Sequence, residues 1–278
     1  MVNIAFWNTA QSRKKDPEQK CLKRINALIS RMIQEYDLDI LALCEYPFDA
    51  SHLLTIDLVR DRQFDEAKSV VQRIDTRIFY SKKTVSCSPS GRFICDENFH
   101  CMNRFQSEGL EFSLHCIHLP SKLHAQEDNR RLIAGMIVND IREQEQSLDK
   151  RTLIVGDFNS EPYELTMIGI DGFHALPDRV KSAKGRTLMA KKYDAFYNPM
   201  WNLYGDFIKP VGTYYYDNNN VRNQYWYLLD QVIMRSEMTR YFVPESLRII
   251  ESALGETLVS KEGRPNVSDH LPFVFSLR

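Results

Sequence analysis

Apolar runs that stop on a polar side chain recur along the whole chain. Val2–Trp7 is β-prone and is followed by Asn8; Ile40, Leu41, Ala42, Leu43 and Cys44 run into Glu45; Leu153, Ile154 and Val155 run into Gly-Asp-Phe-Asn at 156–159. A strand covered on both faces reads as unbroken apolar sequence, so these runs predict buried strands with a polar residue at the carboxyl end. Helical spacing alternates with them. Leu22, Ile25, Leu28, Ile29, Met32 and Ile33 define one buried helix face, and Asp16-Pro17-Glu18 supplies its start: a capping Asp, Pro at the first helical position and an acidic first turn. A second amphipathic helix carries Ile133, Met136, Ile137 and Ile141 on one side.

Between the helices, Ala67 to Leu119 alternates β-prone stretches such as Thr76–Tyr80 and Leu110–Ile117 with the turn-like SKK, SPSG and QSEG, the pattern of antiparallel hairpins. Beyond the second helix, Pro177 to Tyr193 reads as a loop or short helix and Pro199 to Pro210 as irregular connection. Strands resume at Val211–Tyr216, Trp226–Met234 and Ser246–Ile250, and Phe273–Leu277 closes the chain. With no repeat, low-complexity tract or Gly/Ser/Pro-rich linker, residues 1–278 read as a single domain in which helices cover β-sheets.

Composition then narrows the function. A formal net charge of −1 removes the basic surplus usual in proteins that live on nucleic acid, so polyanion binding must come from local patches. The six cysteines form no C-x-x-C pair, which argues against structural zinc. The opening MVNIAFWNTA lacks a basic segment and a long apolar core, pointing to a reduced, cytoplasmic compartment. No apolar run reaches the roughly 18 residues of a membrane span.

Asn8, Glu45, His118, Asp157, Asn159, Asp230 in YLLDQVIM, and Asp269-His270 in SDHLPFVFSL all sit where apolar runs end or begin. Ligands of open α/β sheets bind beyond the carboxyl ends of strands, so such residues can converge on one site. Each also has a plainer reading: Asp and Asn stop strands by bonding their own backbone, and a carboxylate at a strand end serves as a solvated cap or ion-pair partner. It is their distribution over the whole chain that favours a site. His52, His100, His124 and His174 read as surface-loop histidines, and Arg130 and Arg131 as a solvated helix face.

The ordered set FWN, LALCE, HLPSK, VGDFN, LLDQV and SDHLP resembles the endonuclease/exonuclease/phosphatase superfamily, with its deoxyribonuclease-I-like fold, over residues 4–275. The resemblance implies an α/β (α+β) four-layer sandwich: two mixed β-sheets packed face to face, with helices on the outer faces. It also implies hydrolysis of phosphate esters with Mg²⁺, Mn²⁺ being a substitute. Phosphodiester hydrolysis places a water in line with a leaving oxygen while negative charge gathers on the phosphoryl oxygens, so the site needs a hard cation, hydrogen-bond donors and a base. By the resemblance Glu45 leads the metal shell with Asn8 and Asp269; Asp157 orients or deprotonates the attacking water; Asn159 holds a phosphoryl oxygen. His270 shares the proton chemistry with Asp157, and Asp230 fixes its tautomer. His118 donates to the phosphate or helps protonate the leaving oxygen.

The substrate is less legible. Abasic-site repair members of the superfamily carry a carboxylate two residues after the first Asn and a tyrosine motif in the central strand region. Ala10 and His118-Leu119-Pro120 stand here instead, closer to the deoxyribonuclease-like and sphingomyelinase-like branch. The run from Arg179 to Tyr193 holds Arg179, Lys181, Lys184, Arg186, Lys191 and Lys192 and no acid; such a run either tracks a phosphate backbone or is a solvated loop, with Lys184 and Arg186 as candidate contacts. Aromatics around Tyr214 and Trp226 either stack on bases or fill core. The leading expectation is a Mg²⁺-dependent nuclease with nucleic acid as its partner and no membrane. The alternatives are a phosphodiesterase or phosphatase on a nucleotide, inositol phosphate or lipid head group, and an inactive binding module.

Overall fold

The computed structural model of the protein describes residues 1–11, 20–47, 51–68, 76–89, 99–147, 150–207, 209–221 and 223–278. As far as residue 118 the strands are β1 (Val2–Asn8), β2 (Ile40–Cys44), β3 (Phe64–Glu66), β4 (Thr76–Ser81), β5 (Ser86–Pro89), β6 (His100–Ser107) and β7 (Leu110–His118). Then come β8 (Thr152–Asp157), β9 (Ala175–Leu176), β10 (Arg186–Leu188), β11 (Lys191–Tyr193), β12 (Phe196–Tyr197), β13 (Tyr214–Tyr215), β14 (Trp226–Tyr227) and β15 (Asp230–Met234). The last four are β16 (Phe242–Ile249), β17 (Ser252–Ala253), β18 (Glu256–Thr257) and β19 (Phe273–Leu277). The helices are α1 (Lys20–Glu35), α2 (Ser51–Leu54), α3 (Asp57–Asp61), α4 (Glu127–Ser147), α5 (Leu165–Ile168) and α6 (Arg179–Lys184).

Two sheets carry the architecture, one ordered β16-β19-β1-β2-β4-β3 and the other β5-β6-β7-β8-β15-β12-β9. Near the centre of each is a parallel pair, β1 beside β2 and β7 beside β8. Parallel neighbours finish on the same rim: Asn8 lies opposite Cys44, the residue before Glu45, and His118 lies opposite Asp157. The antiparallel β15 starts at that rim, with Asp230 opposite Asp157. Topology alone therefore gathers polar strand ends from distant parts of the chain.

Side-chain alternation sorts the layers. Along β8, Leu153 and Val155 join the core between the sheets, while Ile154 faces α4 and packs with Ala134, Ile137, Val138 and Ile141. The helix α1 covers the six-stranded sheet, and all six apolar positions expected to face inward are buried. Burying them contributes on the order of 10 kcal/mol before entropy is subtracted. The result is a four-layer sandwich of helix, sheet, sheet and helix. Gly156 fixes the spacing within it: a Cβ there would lie 2.1 Å from the Ile117 carbonyl oxygen, so any side chain would push β7 away from β8 and His118 away from Asp157.

Several sequence expectations change. Met136 is 45% exposed, because the buried stripe of α4 runs through Ala134, Ile137, Val138 and Ile141. The stretch Trp226–Met234 is two strands in two sheets, and Val211–Tyr216 pairs only at Tyr214–Tyr215. Pro177 to Tyr193 folds as α6 followed by the two-stranded ribbon β10-β11, and Pro199–Leu203 as a 3-10 turn. The helix start at Asp16-Pro17-Glu18 lies outside the described residues. Cys44, Cys87, Cys101 and Cys116 are free thiols. Among the described residues no helix is long and apolar enough to cross a membrane.

Candidate active site

The shared rim is built from residues that leave their strands under tension. Glu45, directly after β2, has φ 49°, a left-handed conformation costly for a residue with a Cβ. Its carbonyl is held by the Gln11 N–H and the Thr9 hydroxyl, both at 2.9 Å. Asn159 (φ 46°) turns the chain after β8, and its N–H donates to Asp157 Oδ1 at 2.8 Å. Between them Phe158 is fully buried against Phe173, with ring centres 5.0 Å apart, which anchors the turn in the layer below α4. That is why an aromatic separates the two polar side chains: it faces the core while they face the rim.

Asp157 Oδ2 is the meeting point. It accepts from Asn8 Nδ2 at 2.9 Å and lies 3.8 Å from both His118 Nε2 and His270 Nε2. Glu45 Oε1 is 3.6 Å from His118 Nε2 and 3.4 Å from Asn8 Nδ2. On its other side His270 presents Nδ1 to Asp230 Oδ2 at 2.7 Å. Positions 8, 45, 118, 157, 230 and 270 are thus brought together, and the ligand atoms of Asp157, Asp230 and His270 lie within 4.8 Å of one another in a buried cluster able to hold a metal ion. Asp269 stands at the exposed mouth, its Oδ1 3.4 Å from the Ser268 hydroxyl.

Charge explains the protonation of the pair. Burial disfavours a charged His270, yet the adjoining Asp230, with Asp157 and Asp269 beyond, raises its pKa above the ordinary value. Burial raises Asp230 as well, against the pull of His270. The proton between them is held tightly, and the Asp230–His270 hydrogen bond fixes which ring nitrogen faces Asp157.

Asn8, expected as a metal ligand, is held in place by hydrogen bonds. Its Oδ1 accepts from the Ala10 N–H at 3.0 Å, leaving the amide hydrogens toward Glu45 and Asp157. Asn159 spends one amide hydrogen on the Leu119 carbonyl at 2.8 Å. Tyr214 reaches the site, its ring 4.6 Å from His270. Trp226 does not. It pairs with Tyr215, on the opposite face of the β13-β14 ribbon from Tyr214 and Tyr227, and packs on the inter-sheet core.

Lys184 and Arg186 are also separated from the rim. Arg186 pairs with Tyr193, and the next residue, Asp194, binds Lys150 Nζ at 2.8 Å just before β8 begins. The strand β8 runs from that end, at Thr152, to Asp157, about 17 Å at strand rise. The basic side chains of the run lie exposed on α6 and the β10-β11 ribbon at the far end of the sheet. His100 and His174, expected at the surface, are 1% and 2% exposed; His100 stacks on His115 across β6 and β7 with Nε2 2.7 Å from His115 Nδ1, and burial lowers its pKa to about 3. Arg130, expected on a solvated face, is buried against Ser160, Glu164 and the Ala125 carbonyl. His52 and His124 are exposed.

Sequence reasoning missed the residues that set the site. The Ser268 hydroxyl donates to the Asn8 carbonyl at 2.8 Å and accepts from the His270 N–H at 3.1 Å; Trp7 Nε1 donates to the His270 carbonyl at 3.0 Å; Thr213 Oγ1 accepts from the Asp230 N–H at 3.0 Å. Ser268, two residues before His270, is the one with a readable signal, a hydroxyl capping a turn. A cleft of about 520 Å³ along the outer flank of α4 is elsewhere; its acids Asp128 and Asp171 are both bonded to Arg131, so it lacks the uncompensated carboxylates of the rim.

The sequence profile of the Endonuclease/Exonuclease/phosphatase family matches residues 7–270. No curated protein matches the chain in sequence. Among solved structures, D. rerio TDP2 humanized by 14 mutations is 17% identical, with TM-score 0.61 over 100% of this chain and 98% of that one. The human Nocturnin catalytic domain with a bound sulfate anion is 17% identical, with TM-score 0.59 over 100% and 94%. The Bacteroides thetaiotaomicron mannosyl-6-phosphatase is 14% identical, with TM-score 0.57 over 100% of both chains. At such identities these likenesses carry the fold.

Proposed function

The chain belongs to the endonuclease/exonuclease/phosphatase family, whose members are generally hydrolases of phosphoester bonds, and on that premise we propose that it is a Mg²⁺-dependent phosphodiester hydrolase that cleaves nucleic acid by in-line attack of water. The observation that carries the reading is the excess of acid at the rim: Glu45, Asp157, Asp230 and Asp269 meet only two imidazoles. Hard oxygen donors in that number suit a divalent cation. Glu45 would hold Mg²⁺, or Mn²⁺ in its place, with Asp269 assisting from the mouth. Bound there, the ion supplies positive charge to the phosphoryl oxygens.

The remaining work falls to the chain. Asp157, fixed by Asn8 and by the Asn159 N–H, orients the attacking water and takes its proton. His270, tied through Nδ1 to Asp230, directs Nε2 toward the same point and stabilises charge on the phosphate. His118, on the Glu45 side, donates to the phosphate or the leaving oxygen. Asn159 keeps a second amide hydrogen for a phosphoryl oxygen. Residues 1–278 serve as one domain on this reading, since β1 and β19, from the two ends of the chain, pair side by side.

Purified protein with Mg²⁺ or Mn²⁺ should degrade DNA or RNA and lose that activity with a chelator. Release of phosphate from small sugar or inositol phosphates, with polynucleotides left intact, would overturn the nuclease reading in favour of a phosphatase.

A further inference from the structure

Beside the catalytic end stands a group of rings that the chemistry above does not use. Tyr163 follows Asn159 by four residues in the loop leaving β8, Tyr227 ends β14 just before Asp230, and Tyr204 leaves the 3-10 turn at Pro199–Leu203. The Tyr163 and Tyr204 rings meet edge to face at 6.1 Å. Gln224 ties the three phenols together. Its Nε2 donates to the Tyr163 hydroxyl at 2.8 Å, its Oε1 accepts from the Tyr204 hydroxyl at 3.3 Å, and its N–H donates to the Tyr227 hydroxyl at 3.2 Å. Lys122 Nζ, bonded to Glu164, lies 5.8 Å from the centre of the Tyr227 ring. Tyr227 in turn is 6.1 Å from Tyr214, the ring that touches His270.

The hydroxyls are bonded while the residues stay partly in water, Tyr163 being 40% and Tyr204 42% exposed. Burial, helped by the nearby Glu161, raises the Tyr204 pKa, so that phenol remains a neutral donor. One exposed tyrosine needs no explanation. Three tied to a single glutamine, two through its side-chain amide and one through its backbone N–H, continuous with an acid–imidazole centre and flanked by a lysine, form a rigid π surface that loses little freedom when a flat group settles on it.

We infer that this rim receives the unpaired bases of a single-stranded polynucleotide, with a base against Tyr163 and Tyr204 and the adjoining phosphate at Lys122. The inference rests on the hydrolase reading and narrows its substrate. Every base offers a π face, whereas a duplex keeps those faces stacked on their neighbours and a phosphosugar has none. Removing one stacking ring weakens strand binding by about 5- to 150-fold.

The test is binding in Ca²⁺ to three labelled probes: a single strand of about ten nucleotides, the same strand annealed to its complement, and a base-free deoxyribose-phosphate strand of equal length. The wild type should bind the single strand about tenfold or more above the other two. Tyr163→Leu and Tyr204→Leu, which keep bulk and lose the π face, should each lower the ratio of single-strand to base-free affinity by about 5- to 150-fold. Equal wild-type affinity with and without bases, or an unchanged ratio in both variants, overturns the rim. Hydrolysis of bis(p-nitrophenyl) phosphate in Mg²⁺ separates the levels. If the wild type fails on that ester and on every nucleic acid, the hydrolase reading falls; if it cleaves the ester yet ignores bases, only the rim does.

Discussion

At the start of β8, the Arg235 side chain is 2% exposed and grips Glu145 with two bonds, Nε to Oε1 at 2.8 Å and Nη2 to Oε2 at 3.0 Å. The Thr152 hydroxyl joins the same carboxylate, the Ala195 carbonyl takes a further N–H, and the guanidinium lies 3.8 Å over the Phe196 ring. At the other end of the same strand, Asp157 and Asp230 are as deeply buried, but with Glu45 and Asp269 they make four carboxylates around His118 and His270. The far end matches one cation to one anion and engages the remaining donors, which is how a buried pair holds a fold. The near end keeps an acid excess that calls for more positive charge, which a bound metal ion would bring. Burial of charge is common to both; imbalance marks the chemistry.

If the two ends do separate work, they should fail separately. Asp230→Asn would release the His270 tautomer and cost about 10⁴-fold in kcat, roughly 5 kcal/mol, with circular dichroism and melting midpoint close to wild type. Arg235→Ala would strand the Glu145 charge and cost about 3–5 kcal/mol of stability, a fall of about 10 °C in Tm. Below that melt, turnover per folded molecule should stay within about twofold of wild type. An Asp230→Asn protein that does not fold, or an Arg235→Ala protein that folds and is inactive, would break the division.

The near end was far more legible in the sequence than the far end. Strand ends at Asn8, Glu45 and Asp157 announce themselves because an unbroken apolar run can only stop where burial stops, and the face of α1 because helical period and burial are one constraint. Glu145 and Arg235 are separated by 90 residues and belong to no local pattern, so their pairing appears only once α4 lies on the sheet. Arg130 misled for the same reason: its partners come from a loop beyond β8. Leu228 and Leu229 look like strand interior because both are apolar, and both are buried, yet outside any ladder: the Leu229 carbonyl accepts from the Phe158 N–H and the Leu228 N–H goes to the Glu161 carboxylate. Charge along the β10-β11 ribbon was visible, but composition says nothing about which end of a sheet a charge will occupy.

A buried acid near the rim sharpens the contrast further. Glu161 is fully buried, with Oε2 accepting the Leu228 N–H at 3.2 Å. Burial, opposed by that N–H and Lys122 and reinforced by Glu164, raises its pKa from 4.5 to about 7. Below pH 4.5 folded and unfolded chains both carry the proton. Between 4.5 and 7 the unfolded chain ionises first, so stability falls as pH rises, by on the order of 3 kcal/mol once the folded pKa is passed. Glu161→Gln should remove that slope: melting midpoints of variant and wild type should coincide near pH 4 and diverge above it, with the variant more stable at pH 8. Parallel profiles would mean that Glu161 is better compensated than its surroundings show.

The smallest effect belongs to the ribbon. Lys184, Arg186, Lys191 and Lys192 are exposed, and the strand they adjoin separates them from Asp157 by about 17 Å, beyond one to two Debye lengths at physiological salt. Replacing all four with Gln should move stability by no more than about 0.5 kcal/mol and leave kcat on a short dinucleotide substrate unaltered. Any influence must travel through a polymer long enough to touch both ends. In that case only long strands lose affinity, and the slope of log affinity against log salt becomes shallower by about 0.7 for each phosphate contact removed on single strands. A loss of turnover on the dinucleotide would carry the ribbon's charge to the reacting phosphate and erase the distinction between the ends; a loss confined to long strands would keep it and add a reach of basic surface to the same enzyme.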